Sequence, residues 1–146
     1  MRIDFYFNVE DRMQYACRLV RKARAADKTV LVFATDAARL ARFDAALWIF
    51  SALDFVPHVY ADSPLAARTP VLLTLDAHAP APACDLLLNL DDGVPPDLAA
   101  LSQRHERIIE VVSRDEADRA GARARFRAYR DAGLAPNHID TAQAAA

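Results

Sequence analysis

Thr29-Val30-Leu31-Val32-Phe33-Ala34-Thr35 is an unbroken apolar run closed at each end by a threonine. It has no polar side to turn toward water. It therefore reads as a strand covered on both faces, which a parallel sheet between two helical layers provides. Residues 3–9, upstream, alternate and carry aromatic side chains, and form a first strand. Residues 10–27 mix Met13, Tyr15, Cys17, Leu19 and Val20 with several bases, the pattern of an amphipathic helix. Downstream, Asp36 is placed to cap a helix over 37–50, since its carboxylate can accept the first free N–H groups. Residues 69–75 and 85–90 are further strands joined by the proline-rich 77–84. Pro95-Pro96-Asp97 opens a short helix, and 107–112 is another apolar strand. Strands alternating with helices predict an α/β fold: one domain over 1–136, with a mostly parallel central sheet flanked by helices. Residues 137–146 are expected to be a flexible tail, because 141–146 offers no anchor.

At 146 residues, 53% hydrophobic and 26% charged, the chain can bury a substantial core. No apolar run approaches the ~20 residues that span a bilayer, and the opening residues lack a signal-peptide pattern, so a cytoplasmic protein without membrane contact is expected. Cys17 and Cys84 are too few for a disulfide framework and read as small buried hydrophobes. A net charge of −2 argues against a protein built mainly to hold nucleic acid. The charge is unevenly spread: residues 104–130 carry eight arginines against five acids. A local cationic surface suits a discrete acidic ligand better than general phosphate binding.

Several chemistries lack their residues. Gly93, Gly121 and Gly133 are the only glycines, and none follows an early strand. The fold class is thus Rossmann-like without a nucleotide fingerprint, for both that fingerprint and the P-loop need glycines to bring backbone N–H groups to phosphates. His58, His78, His105 and His138 have no metal-ligand spacing, and Ser51 and Ser63 lie in no nucleophile elbow. Asp91-Asp92-Gly93 could hold a cation or could be an Asp-rich turn. No catalytic, cofactor or metal site is expected.

Two segments carry the functional signal. The first is the helix over 113–133, which opens with the capping-box pattern Ser113-x-x-Glu116 and stops at Gly133. With Arg119 at 0° and an advance of about 100° per residue, Arg130, Arg123 and Arg127 fall near 20°, 40° and 80°, and Phe126 near −20°. Ala117, Gly121, Ala124, Ala128 and Ala132 gather between roughly 140° and 220°. The small-residue face is expected to press on the sheet and the guanidinium ridge to face outward. Four arginines beside an aromatic ring suit an acidic peptide with a hydrophobic end, although a solvated helix rich in good helix formers has the same pattern. The second segment is Asp44-Ala-Ala-Leu47-Trp48-Ile49-Phe50, followed closely by Phe55-Val56-Pro57-His58. Its aromatic residues fit either a core cluster or an interface.

Together, Asp44-x-x-Leu47-Trp48 with Phe55-Val-Pro-His58, and Phe126-Arg-Ala-Tyr129-Arg130-x-Ala132-Gly133, resemble the chi subunit family of bacterial DNA polymerase III. The opening Ile3-Asp-Phe-Tyr-Phe strand fits as well, and the likeness runs in order from residue 3 to Gly133. The resemblance implies a non-enzymatic α/β subunit of the clamp-loader assembly in DNA replication. It would bind the psi subunit, and the clamp loader through psi. It would also bind the acidic, Phe-terminated C-terminal tail of single-stranded-DNA-binding protein, contacting nucleic acid only indirectly. Carried over by position, the tail site comprises Val112, Arg119, Arg123, Phe126, Arg127, Tyr129 and Arg130. The psi site comprises Trp48, Phe55, Val56, Pro57 and His58. Phe126 stands where the family often has Tyr, keeping the ring without its hydroxyl, and Leu134 where Phe is common. Two alternatives stay open on the residues alone: direct nucleic-acid binding by the arginine face, and a nucleotide-dependent enzyme on the same scaffold.

Overall fold

A computed structural model of the chain describes residues 1–50 and 55–144; Ser51 and the last two residues of the expected tail lie outside them. In chain order come β1 (Arg2–Val9), α1 (Arg12–Ala25), β2 (Val30–Phe33), α2 (Ala37–Phe50), β3 (His58–Tyr60), β4 (Val71–Thr74) and β5 (Leu86–Asn89). They are followed by α3 (Leu98–Leu101), β6 (Arg107–Ser113), α4 (Glu116–Asp131), β7 (Asn137–Asp140) and α5 (Thr141–Ala144). Among the described residues the strands form one seven-stranded sheet in the order β3-β4-β2-β5-β6-β1-β7. Every pairing is parallel. The fold is therefore the expected α/β domain, with its sheet wholly rather than mostly parallel.

The apolar run that decides the fold lies at the centre. All four residues of β2 are buried, Val30 and Val32 on one face, Leu31 and Phe33 on the other. The first face is covered by α1 and α2 through Ala16, Leu19, Val20, Leu40, Phe43 and Leu47. The second is covered by α3 and α4 through Leu101, Ala122 and Tyr129. Asp36 caps α2 as predicted, its Oδ1 accepting the N–H groups of Ala38 at 2.9 Å and Arg39 at 3.3 Å. Among the described residues no helix is long and apolar enough to cross a membrane.

Three expectations are corrected. Residues 137–140 are not a loose tail but the edge strand β7, paired with Asp4–Phe7 of β1. It is tied down by Asn137 Nδ2 donating to Asp4 Oδ1 at 2.8 Å, and Thr141 Oγ1 donates to Phe7 O at 2.9 Å. The helix start at 113–116 is not a reciprocal Ser–Glu box. Asp115 is the N-cap, Asp118 accepts from the Ser113 N–H at 2.7 Å, and Glu116 turns outward to the arginines. The third correction is rotational: α4 meets the sheet through Ala122, Arg125 and Tyr129, while Ala117, Ala124 and Ala132 are exposed and Gly121 and Ala128 only partly covered. At its other end α4 closes as expected. Gly133 adopts φ +87°, its N–H donates to Arg130 O at 3.0 Å and that of Leu134 to Tyr129 O at 3.1 Å, a Schellman closure that only glycine enters without strain.

Candidate functional site

What turns α4 is a buried polar network. Ile108, Glu110 and Val112 alternate on β6 toward this helix, which places Glu110 beneath it with no solvent exposure. Arg125 Nε donates to Glu110 Oε1 at 2.9 Å. Tyr129 Oη and Asn89 Nδ2 donate to Oε2 at 2.6 and 2.7 Å, and Arg125 Nη1 reaches Asp92 O at 3.1 Å. A carboxylate taken out of water needs such partners. Once Arg125 and Tyr129 are committed inward, the helical period sends Arg119, Arg123, Arg127 and Arg130 to the outside.

Those four arginines rim an open groove of about 580 Å³. Its walls are aromatic and apolar: Phe5 and Phe7 from β1, Val112 from β6, Ala122 and Phe126 from α4, and His138 from β7. The rings form a chain. Phe126 lies 5.3 Å from Phe5 and 4.6 Å from His138, and His138 lies 5.1 Å from Phe7. An apolar floor under a cationic rim can hold a ring and a carboxylate a few ångströms apart.

The rim is partly engaged by the protein's own carboxylate. Glu116 Oε1 accepts from Arg123 Nη2 at 2.8 Å, and Glu116 Oε2 lies 3.8 Å from Arg119. The bond from Arg123 and its charge hold the Glu116 carboxyl below its ordinary range. Glu116 is exposed, so this pair is weak and easily exchanged. Among the described residues Arg127 and Arg130 have no ion pair or hydrogen bond through their side chains.

Of the seven positions carried over for the tail site, six line the groove: Val112, Arg119, Arg123, Phe126, Arg127 and Arg130. Tyr129 does not. It is wholly buried behind the floor, edge-on to Phe5 at 5.8 Å, and burial followed by the Glu110 charge pushes its phenol far above the ordinary value. Sequence reading omitted Phe5, Phe7 and His138. The two phenylalanines stand two apart on one face of the first strand, a readable signal, whereas His138 sits in the strand mistaken for a tail.

The second segment lies on the opposite face of the sheet, at the end of α2. Trp48 is 47%, Ile49 76% and Phe55 62% exposed. Trp48 packs at a tilt against Phe55, with ring centroids 5.2 Å apart, and against His58 at 4.5 Å. Pro57 is exposed, but Val56 and His58 are buried and support the patch from below. His58 Nε2 meets Asp44 Oδ1 at 2.9 Å and Nδ1 meets Val56 O at 2.8 Å, which fixes the ring under Trp48.

At the carboxyl ends of β1 and β6 the chain departs in opposite directions, the crevice where such sheets commonly take nucleotides. Here Arg12 donates through Nε to Val111 O at 3.0 Å and lies 3.9 Å from Asp118, so protein side chains occupy it. The Asp91-Asp92 turn is also committed. Asp91 Oδ1 accepts from Thr35 N and Oγ1 at 2.9 and 2.7 Å, and Asp92 pairs with Arg39 at 3.0 Å.

Comparison with known proteins gives the family. The family model for DNA polymerase III chi subunit, HolC, matches residues 1–137. The chain is 35% identical over 136 residues to the DNA polymerase III subunit chi of Pseudomonas aeruginosa, covering 90% of this chain and 91% of that protein. It is 28% identical over 117 residues to the protein of that name from Haemophilus influenzae, covering 80% and 78% of the two chains. To the Escherichia coli protein it is 27% identical over 121 residues, covering 83% and 80%. With these matches and the all-parallel fold, the chain belongs to the DNA polymerase III chi subunit family, an accessory rather than catalytic part of the replicative polymerase.

Proposed function

We propose that this subunit is a two-sided tether in DNA replication. The groove under α4 takes the acidic C-terminal tail of single-stranded-DNA-binding protein. The Trp48–Phe55 patch docks the psi subunit, and through psi the clamp loader. The observation that carries the reading is the pairing of an apolar aromatic floor with four exposed arginines in one groove. A chain end fits such a site better than an internal segment, because its α-carboxylate sits beside its last side chain. The terminal ring lies against Phe126 and His138 on the apolar floor, and the α-carboxylate meets Arg123 or a neighbour. Upstream aspartates meet Arg127 and Arg130 as weaker, salt-screened contacts. DNA is reached only indirectly, through the coated strand that displays the tail.

The test is calorimetric titration with an acidic peptide ending in Phe. Arg123→Ala is expected to weaken binding by about 1.5–3 kcal/mol, the range for a hydrogen bond to a charged group. Unchanged affinity in Arg123→Ala and Phe126→Ala, or equal affinity for a bare oligonucleotide, would reject the groove as a tail site.

A further inference from the structure

Beside the Trp48 patch the molecule carries a second cationic surface. α1 holds five bases and no acid, and α2 holds one acid, Asp44, which is engaged by His58. Arg12 is turned inward to Val111 O, Arg24 to Lys28 O at 3.1 Å and Arg39 to Leu90 O at 2.9 Å. The outer side of α1 is left with Arg18, Arg21 and Lys22, all exposed and within about 100° of one another around the helix. The Arg18 guanidinium lies 5.8 Å from the Tyr15 ring, and Arg21 lies 4.8 Å over Phe50. Phe50 and Trp48 lie about 200° apart around α2 with the exposed Ile49 between them, so the α1 ridge approaches the apolar patch through Arg21, Phe50 and Ile49. Among the described residues Arg18, Lys22 and Arg42 of α2 have no carboxylate partner.

We infer that the partner seated on the Trp48–Phe55 patch is an amphipathic segment whose apolar side covers the patch and whose acidic side chains lie on Arg18 and Lys22 of α1. The inference rests on the reading of that patch as the psi-docking surface and adds the charge its occupant must carry. A protein segment fits better than nucleic acid on two counts. Trp48 and Phe55 pack at a tilt against each other, and the neighbouring exposed side chains are Ile49 and Pro57, an aliphatic anchor surface rather than a ladder for bases. The cations also flank the patch on one side instead of interleaving with its rings.

The experiment is calorimetric titration of the full chain with the psi subunit of the same organism, at about 50 and about 300 mM salt. The variants are Trp48→Ala and the double charge reversal Arg18→Glu/Lys22→Glu, all exposed positions. The double variant is expected to lose about tenfold or more in affinity at low salt and to show a much flatter salt dependence. Trp48→Ala is expected to weaken binding at both salts and keep the wild-type slope. Wild-type affinity in the double variant, with Trp48→Ala weakened, overturns the acidic complement and leaves the patch standing. Wild-type affinity in Trp48→Ala overturns the patch reading and the inference with it. A single-stranded oligonucleotide that binds the wild type but not the double variant would make the ridge a nucleic-acid contact and also overturn it.

Discussion

Arg125 donates through Nε to Glu110 at 2.9 Å with both side chains sealed from solvent, while Arg123, two residues earlier on the same helix, stands outside and meets Glu116. The inward arginine fixes the rotation of α4, and the outward ones follow from it.

Removing one partner of that buried pair leaves a charge without compensation. Glu110→Ala, which also orphans Tyr129 Oη and Asn89 Nδ2, should cost about 3–5 kcal/mol of stability in urea unfolding. The double replacement Glu110→Leu/Arg125→Met should recover much of that loss, because no lone charge remains. A single variant as stable as wild type would remove the network from this role.

Glu116 occupies the rim that the proposed tail would use. Arg123 holds its carboxyl below the ordinary carboxylate range, so it stays ionised through neutral pH and occupies Arg123 when no ligand is present. Glu116→Gln should therefore raise affinity for an acidic peptide by about two- to fivefold at low salt, with the gain fading as salt is added. Calorimetry in a salt series reads the effect directly; a loss of affinity would mean that Glu116 positions Arg123 rather than competing for it.

His105 makes stability depend on pH. Burial lowers its pKa, outweighing the bond to Cys84 O at 2.7 Å, and Nε2 is buried without a partner. The native state thus prefers the neutral ring. With the folded value depressed, this stabilisation is complete above the unfolded value of about 6.5 and declines as pH falls from there toward the folded value. His105→Gln, which keeps a donor for Cys84 O, should flatten that part of the stability–pH curve measured by urea unfolding between about pH 7 and 5. An unaltered slope would assign the decline to other groups.

Trp48 is half exposed and supports little of the core. Trp48→Ala should change unfolding free energy by less than about 1 kcal/mol while weakening psi binding by about 2 kcal/mol or more, as truncated aromatic anchors do. Large destabilisation with unchanged binding would return the patch to a core role.

Much of this was legible in residues alone, in proportion to how local the cause was. The run 29–35 marked a doubly covered strand because its own composition forbade a wet face. The outward arginines were readable from helical spacing. The buried face of α4 was misread because an Ala–Gly stripe is the usual close-packing surface. Arg125 and Tyr129 displace it only through Glu110, whose position under the helix comes from the sheet. β7 escaped notice because Asn137-His138-Ile139-Asp140 has one aliphatic residue, and its support comes from Asp4 and from β1 pairing more than 130 residues away in sequence. His138 and its place in the groove were missed with it.

The tethering account stands or falls on whether both surfaces can be filled at once. The direct measurement is the affinity for psi of the chain alone and of the chain saturated with the acidic Phe-ended peptide. Groove and patch lie on opposite faces of the sheet, so psi should bind the saturated protein with unchanged affinity and a ternary complex should form. Displacement of the peptide by psi would put both ligands on one surface and contradict the account.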